Sequence, residues 1–403
     1  MELEARRRSL GRAFQGLLVA ATVTNLGDGI RLAALPLLAT TLTDSPLLIA
    51  SVTAAQFLPW LLFGPLAGVI VDRADRRRLI LFTQAWRGFV MVGLGAVVLA
   101  DVASMWMVLA VAFVITVGEI LVDPSVVAVV PTIVDRDDLD RANGRISSVE
   151  IVTNDLIGAP VGAGLFAAVP WLPFVADGMS YVGSIVPFRR LPKQQRPDQG
   201  RLAPQQILSE VSEGLRWILS HRMLRPWTMA VAIFNVGASA AFSLLVVLVH
   251  DTHGGSEFAF GVTLTVAAIA GAIGSATAPR LVDRYGRAPV LLAAAGMGAA
   301  TLFAVAGAPS LVFVIGFWAI GGGTSGVLLA IGRGYVQRYC PNEILGRAAI
   351  ASRTITRTAF VVGALLGGTV AATHGVRSAF AVAGIIQATA LVPMGLALRH
   401  DRD

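Results

Sequence analysis

Long apolar stretches alternate with short polar connections along all 403 residues. A run of about 20 apolar residues crosses ~30 Å of hydrocarbon at ~1.5 Å per residue. Twelve stretches satisfy that length: 14–41, 47–71, 79–100, 104–125, 147–169, 172–190, 225–250, 257–280, 288–308, 310–332, 348–373 and 376–398. Asp101 and Ser104 separate spans 3 and 4, Pro170-Trp171-Leu172-Pro173 separates spans 5 and 6, and Pro309-Ser310 separates spans 9 and 10. The pattern predicts an all-α membrane protein of twelve transmembrane helices. Arg6-Arg7-Arg8 ahead of an apolar run superficially resembles a signal peptide. The run continues to Leu42, too long for a cleaved leader, so it is read as a retained first span.

Composition agrees. Apolar types make up 55% and charged types 14%, where soluble domains are nearer a quarter charged. A water-facing surface cannot be built from this set. The net charge of +7 would suit a nucleic-acid binder, but its arginines sit in short clusters on alternate connections, which excludes that partner. The basic connections are the N-terminus (Arg6, Arg7, Arg8, Arg12), 2–3 (Arg73, Arg76, Arg77, Arg78), 4–5 (Arg136, Arg141, Arg145), 6–7, 8–9 (Arg280, Arg284, Arg287), 10–11 (Arg333, Arg338, Arg347) and the tail. Arg377 is the main exception on the other side. Cations in short loops stay cytoplasmic, so both termini are expected inside the cell membrane. The single Cys340 and five scattered His residues offer no disulfide, no metal site and no cofactor ligand.

The longest connection divides the chain into an N-terminal bundle at 1–190, a cytoplasmic linker at 191–224 and a C-terminal bundle at 225–403. Within the linker, Ile207, Leu208, Val211, Leu215 and Ile218 share one face of an expected surface helix. The halves echo each other. Val71-Asp72-Arg73-Ala74-Asp75-Arg76 follows span 2, and Val282-Asp283-Arg284-Tyr285-Gly286-Arg287 follows span 8. Asn143-Gly144-Arg145 precedes span 5, and Leu345-Gly346-Arg347 precedes span 11. Motifs repeated in order on one membrane side fit two halves related by an axis along the membrane normal.

These residues resemble the major facilitator superfamily. Its loop signature, Gly-x-x-x-Asp-Arg-x-Gly-Arg-Arg, is matched by Gly68, Asp72, Arg73, Arg76 and Arg77, with Asp75 in place of a Gly. The second copy carries Asp283, Arg284, Gly286 and Arg287, with Pro279 in place of the first Gly. The resemblance implies a latch in which Asp72 faces the start of span 11 and Arg76 reaches Asp123. The alternative is that these are only topogenic charges. In span 5, Gly158, Pro160, Gly162 and Gly164 resemble the exporter signature Gly-x-x-x-Gly-Pro-x-x-Gly-Gly; the alternative there is ordinary helix packing. Three further stretches are similar to the branch of siderophore (enterobactin) exporters and macrolide efflux proteins: Asn25 to Ile30 with Ala34 to Leu38, Pro59 to Gly64, and Asp123-Pro124-Ser125 onward to Gly144. The resemblance implies a monomeric secondary transporter that exports a small amphipathic molecule by alternating access, driven by protons.

Ionisable groups inside a membrane are expensive to bury and point to function. Asp28 and Glu119 are the candidate proton carriers. Arg31, Asn25, Gln56, Asn235, Ser239 and Gln387 are candidate cavity residues, with Phe57, Trp60, Phe234 and Phe242 as apolar surface. Arg353 and Arg357 in span 11 are read as gating or structural, and Asp177 stays open. Static charge networks are the alternative for Asp28 and Glu119. Trp106, Trp171 and Trp227 suit interfacial belts. No catalytic constellation and no Gly-Lys-Ser/Thr phosphate loop occurs, so an enzyme or ATP-driven pump is not expected. An importer or lipid flippase on the same scaffold, or a membrane receptor, remains open.

Overall fold

The structure, a computed structural model, describes residues 10–192, 204–340 and 342–399. Inside its helices the side chains of residues 65, 68, 69, 72, 204–211, 333–339 and 342–350 lie outside the description. That excludes Arg6, Arg7, Arg8, Lys193, Arg196, Arg201 and Arg402, the surroundings of Gly68, and the side chains of Asp72, Arg333, Arg338 and Arg347.

Every regular element among the described residues is helical. Lipid offers the backbone no partner, and a helix satisfies its own amides. Among the described residues, eleven helical segments are long and apolar enough to cross a membrane. The twelfth, span 6 at Leu172–Phe188, has 17 residues, the short end of the crossing range. Span 1 is Arg12–Leu42, span 2 Pro46–Arg73, span 3 Arg76–Leu99 and span 4 Met105–Ile133. Span 5 runs through Leu139–Glu150, a π-helical stretch at Ile151–Gly158, and Ala159–Ala168. In the second half, span 7 starts at Leu224–Phe242 and ends in a π turn at Leu248–Thr252. Spans 8 to 11 are Glu257–Tyr285, Arg287–Ala306, Leu311–Tyr339 and Asn342–His374. Span 12 is Val376–Thr389 followed by Leu391–Arg399.

The expected span ends are corrected on the basic side. Span 4 continues through Pro124 and Pro131 to Ile133, span 8 to Tyr285 and span 10 to Tyr339. Hydropathy marks only the part that needs hydrocarbon. The helix carries on past it, because intrahelical bonds serve the backbone in water as well.

The two copies of the loop signature turn differently. Asp75, at φ −65° and ψ 101°, caps span 3, its side chain accepting from the Arg78 amide at 3.1 Å. Gly286 makes the equivalent turn at φ +81°, where L side chains are disfavoured. Asp75 therefore replaces the family's glycine without strain, by capping rather than by left-handed backbone. Arg76 donates to the Ala128 carbonyl on span 4 at 3.2 Å.

The chain forms two compact units, Met1–Leu35 with Leu66–Leu202 and Pro36–Pro65 with Ala203–Asp403. In the first, Phe14, Leu17, Ile80, Val129, Val130, Ala142, Phe188 and Leu191 form a core at the basic end of the helices. In the second, small residues let backbones touch: a Cβ at Gly274 would meet the Gly323 carbonyl carbon at 3.0 Å, and one at Gly326 the Gly271 carbonyl carbon at 2.8 Å. That is the close packing by which helices associate in lipid. The linker helix, Pro204–Ser220, is anchored rather than lying free: Ile218 is buried with Leu224, Trp227, Leu291, Cys340, Met394 and Leu398. Trp227 accordingly belongs to this core and not to an interfacial belt. Trp106 is exposed, as a lipid-facing belt residue would be.

Candidate functional site

Four helices of the first unit bring their midpoints together. Asp28 lies sixteen residues from Arg12 and fourteen from Leu42. Glu119 is fourteen residues from either end of span 4. Arg87 is eleven and twelve residues from the ends of span 3. Tyr181 and Asp177 come from span 6. Apolar helices place charged groups there only if the groups satisfy one another.

They largely do. Asp28 Oδ1 accepts from Arg31 at 3.0 Å, from Arg87 at 3.1 Å and from the Tyr181 hydroxyl at 2.5 Å. Glu119 accepts from Arg31 and, at 3.4 Å, from Arg87. Arg87 also donates to Tyr181 at 2.8 Å and to Gln84 at 3.2 Å, and Gln84 donates to Ser184 at 2.9 Å. Asp177 Oδ2 faces Arg31 Nε at 3.5 Å. The side chains of Asp28 and Glu119 are 19% and 23% exposed, whereas Arg31, Arg87 and Asp177 are 7%, 2% and 0% exposed. The two acids therefore keep some exposed surface, whereas both cations and the third acid are buried.

Glycines make the room. A Cβ at Gly118 on span 4 would strike Arg87 Cδ at 2.5 Å and Cγ at 2.8 Å, so the arginine passes over a bare backbone. Span 5 leans on span 1 beside Asp28 and Arg31: a Cβ at Gly158 would meet Gly29 Cα at 2.7 Å, and one at Gly162 would meet Ile30 Cα at 2.7 Å. Gly164, the third glycine of the exporter-like motif, has nothing within 4 Å. Pro160 has no N–H for the carbonyl one turn back, and the wider π turn at Ile151–Gly158 precedes it.

The structure brings Asp28, Arg31 and Glu119 together and adds Asp177. Arg87, Tyr181 and Gln84 were not singled out from the sequence. The signal existed for Arg87, a cation eight residues into the apolar run that starts at Leu79. Asp123 lies one turn from Glu119 and is exposed, as is Glu150. Asn25 donates to its own helix at Ala21, 2.8 Å. Gln56 and Asn235 are half-buried. Ser239 is buried and donates to the Phe360 carbonyl at 2.7 Å, and buried Gln387 packs under Gly237. Those last two tie helices together within the second unit. Also there, Phe57 stacks on Phe360 at 4.5 Å, and the Arg357 guanidinium lies 5.2 Å and 4.8 Å from the Phe57 and Trp60 rings. Arg353, Asp283 and Arg284 are exposed. Among the described residues no group of acids, histidines and cysteines could hold a metal.

The family model for transmembrane secretion effectors matches residues 10–401. An MFS-type transporter of Bacillus subtilis, YfiS, is 23% identical over 94% of this chain and 91% of its own. The multidrug efflux pump Tap of Mycobacterium bovis is 25% identical over 99% and 96%. Macrolide efflux protein A of Streptococcus pyogenes is 27% identical, over 36% of this chain and 35% of its own. The fold matches the nucleoside transporter NupG at TM-score 0.78 and 10% identity, covering 95% and 98% of the two chains. A bacterial homologue of the lysosomal transporter Spinster matches at 0.74 and 14%, covering 96% of each. These relatives are multi-pass membrane transporters rather than enzymes. The chain belongs to the transmembrane secretion effector family of major facilitator superfamily transporters.

Proposed function

We propose that this transporter is a monomeric exporter of small amphipathic molecules (drug, macrolide or siderophore-like), working by alternating access as a proton antiporter in the cell membrane. One observation carries the reading. The buried cluster sets three carboxylates, Asp28, Glu119 and Asp177, against two guanidiniums, Arg31 and Arg87. A net charge at mid-membrane is costly, so the cluster needs a proton or a cationic substrate to be neutral. A site that needs one of the two, and accepts either, exchanges them. Export is supported by the names of the efflux relatives and by the glycines of span 5 that bring it against span 1.

In this reading the six-helix halves at 1–190 and 225–403 rock about the linker at 191–224. Gly68, Asp72, Arg73, Arg76 and Asp123 latch them on the cytoplasmic side, with Asp283, Arg284, Gly286 and Arg287 as the second copy and Arg353 and Arg357 as gate residues. The arginine-rich connections keep both termini inside.

Inside-out vesicles acidified by respiration test it. Adding members of a panel of amphipathic dyes and macrolides is expected to collapse part of the pH gradient as substrate enters and protons leave, and Asp28→Asn is expected to abolish this while the protein stays in the membrane. Substrate accumulation that leaves the gradient untouched would remove proton coupling, and net movement the other way would make the protein an importer.

A further inference from the structure

We propose that Asp177 holds the exchanged proton and that Arg31 is the arm that releases it, in exchange for a positively charged substrate. The proposal deepens the proton-antiport reading and rests on it.

Asp28 and Glu119 are both met by cationic donors. Asp28 accepts from two guanidiniums and a tyrosine, and Glu119 accepts from both guanidiniums. Two carboxylates and two cations pair off. Asp177 is the one left over: Arg31 Nε approaches it at 3.5 Å without making a hydrogen bond. It is fully buried, and neither carboxylate oxygen has a hydrogen-bond partner. Ser180, one turn on, is spent on the Asp177 main-chain carbonyl at 2.7 Å. A bare carboxylate sealed from water without donors is far costlier than the neutral acid. The groups around it are Gly27, Asp28 and Arg31 from span 1, Arg87 from span 3, and Tyr181 from its own helix. Gly27 is part of the pocket: a Cβ there would run into Asp177 Oδ1 and Ser180 Oγ.

Arg31 is poised between two partners. Its terminal nitrogen is on Asp28 and Glu119, while its Nε points at Asp177 Oδ2 from 3.5 Å without hydrogen-bond geometry and has no other partner. A cation arriving at partly exposed Glu119 takes over that carboxylate and frees Arg31 to turn onto Asp177. The Asp177 O–H bond then breaks with its electron pair left on oxygen, and the proton leaves to water past Asp28. The sum of charges stays zero: one proton out, one cation in. The reverse exchange resets the site.

Infrared spectroscopy of the purified protein at neutral pH, without any ligand, tests the resident proton. We expect a protonated-carboxyl band that shifts in heavy water and is lost in Asp177→Asn. The same band in Asp177→Asn would overturn the assignment. Glu119→Gln, which leaves a surplus cation, is expected to drive Asp177 to the ionised form and erase the band; persistence would overturn the arm. With ethidium as the probe, wild type in weakly buffered detergent is expected to release about one proton per bound cation; Asp177→Asn, whose remaining acids and cations already balance, is expected to bind ethidium more weakly and to release none. Binding without proton release by wild type would refute antiport itself. Release by both proteins would refute only the role of Asp177.

Discussion

Arg87→Met removes the most deeply buried cation among the described residues. Its side chain is 2% exposed and reaches Asp28 at 3.1 Å, Glu119 at 3.4 Å, Tyr181 at 2.8 Å and Gln84 at 3.2 Å. Methionine is unbranched and flexible enough to fill the slot over Gly118, so lost packing is a minor part of the effect. Arg31 alone would then face both Asp28 and Glu119 at the middle of the membrane. Removing one partner of a buried ion pair destabilises by about 3–5 kcal/mol. At roughly 2–4 °C per kcal/mol for units of this size, the melting point in detergent should fall by on the order of 10 °C. Tryptophan-fluorescence melting of the purified protein measures it. Asp28→Asn in the same background restores the balance of charge and should recover more than half of the loss, since coupled sites are non-additive. Equal or additive losses in the double variant, or a melting point for Arg87→Met within roughly 2 °C of wild type, would show that the charges do not depend on one another.

Two other outcomes are expected. Gly162→Leu puts side-chain atoms where Ile30 Cα already lies 2.7 Å from a Cβ, so spans 1 and 5 must part by about 1 Å to reach normal carbon contact; transport in vesicles should be lost while Gly164→Leu, with open space around it, transports normally. Cys340 is buried, and burial pushes its thiol up from the usual value, so maleimide labelling of the folded protein should be far slower than after denaturation; intact-mass measurement at neutral pH reads this, and labelling at the rate of free cysteine would show that the linker helix does not cover it.

Much of the fold was legible along the chain. Helices in lipid must be long and apolar, so the spans announce themselves, and the alternating arginines number them. Of the site, Asp28, Arg31 and Glu119 could be named because charge inside an apolar run is conspicuous. Arg87 carries the same signal but lies within a span that starts in a cluster of arginines, Arg76 to Arg78, where one more cation reads as topogenic. Tyr181 and Gln84 gave no signal at all, since a polar group on one helix has meaning only when its partner on another is known.

The sequence by itself determined that this chain is a bundle of twelve membrane helices with repeated halves, because solvent preference is a local property of each stretch. It also determined which residues are chemically unusual. Only the tertiary structure decided that spans 1, 3, 4 and 6 meet at their charged midpoints, that Gly118 and Gly27 leave room for Arg87 and Asp177, and that three acids share two cations. Pairing between helices depends on their rotation and depth relative to one another, and no single helix encodes either.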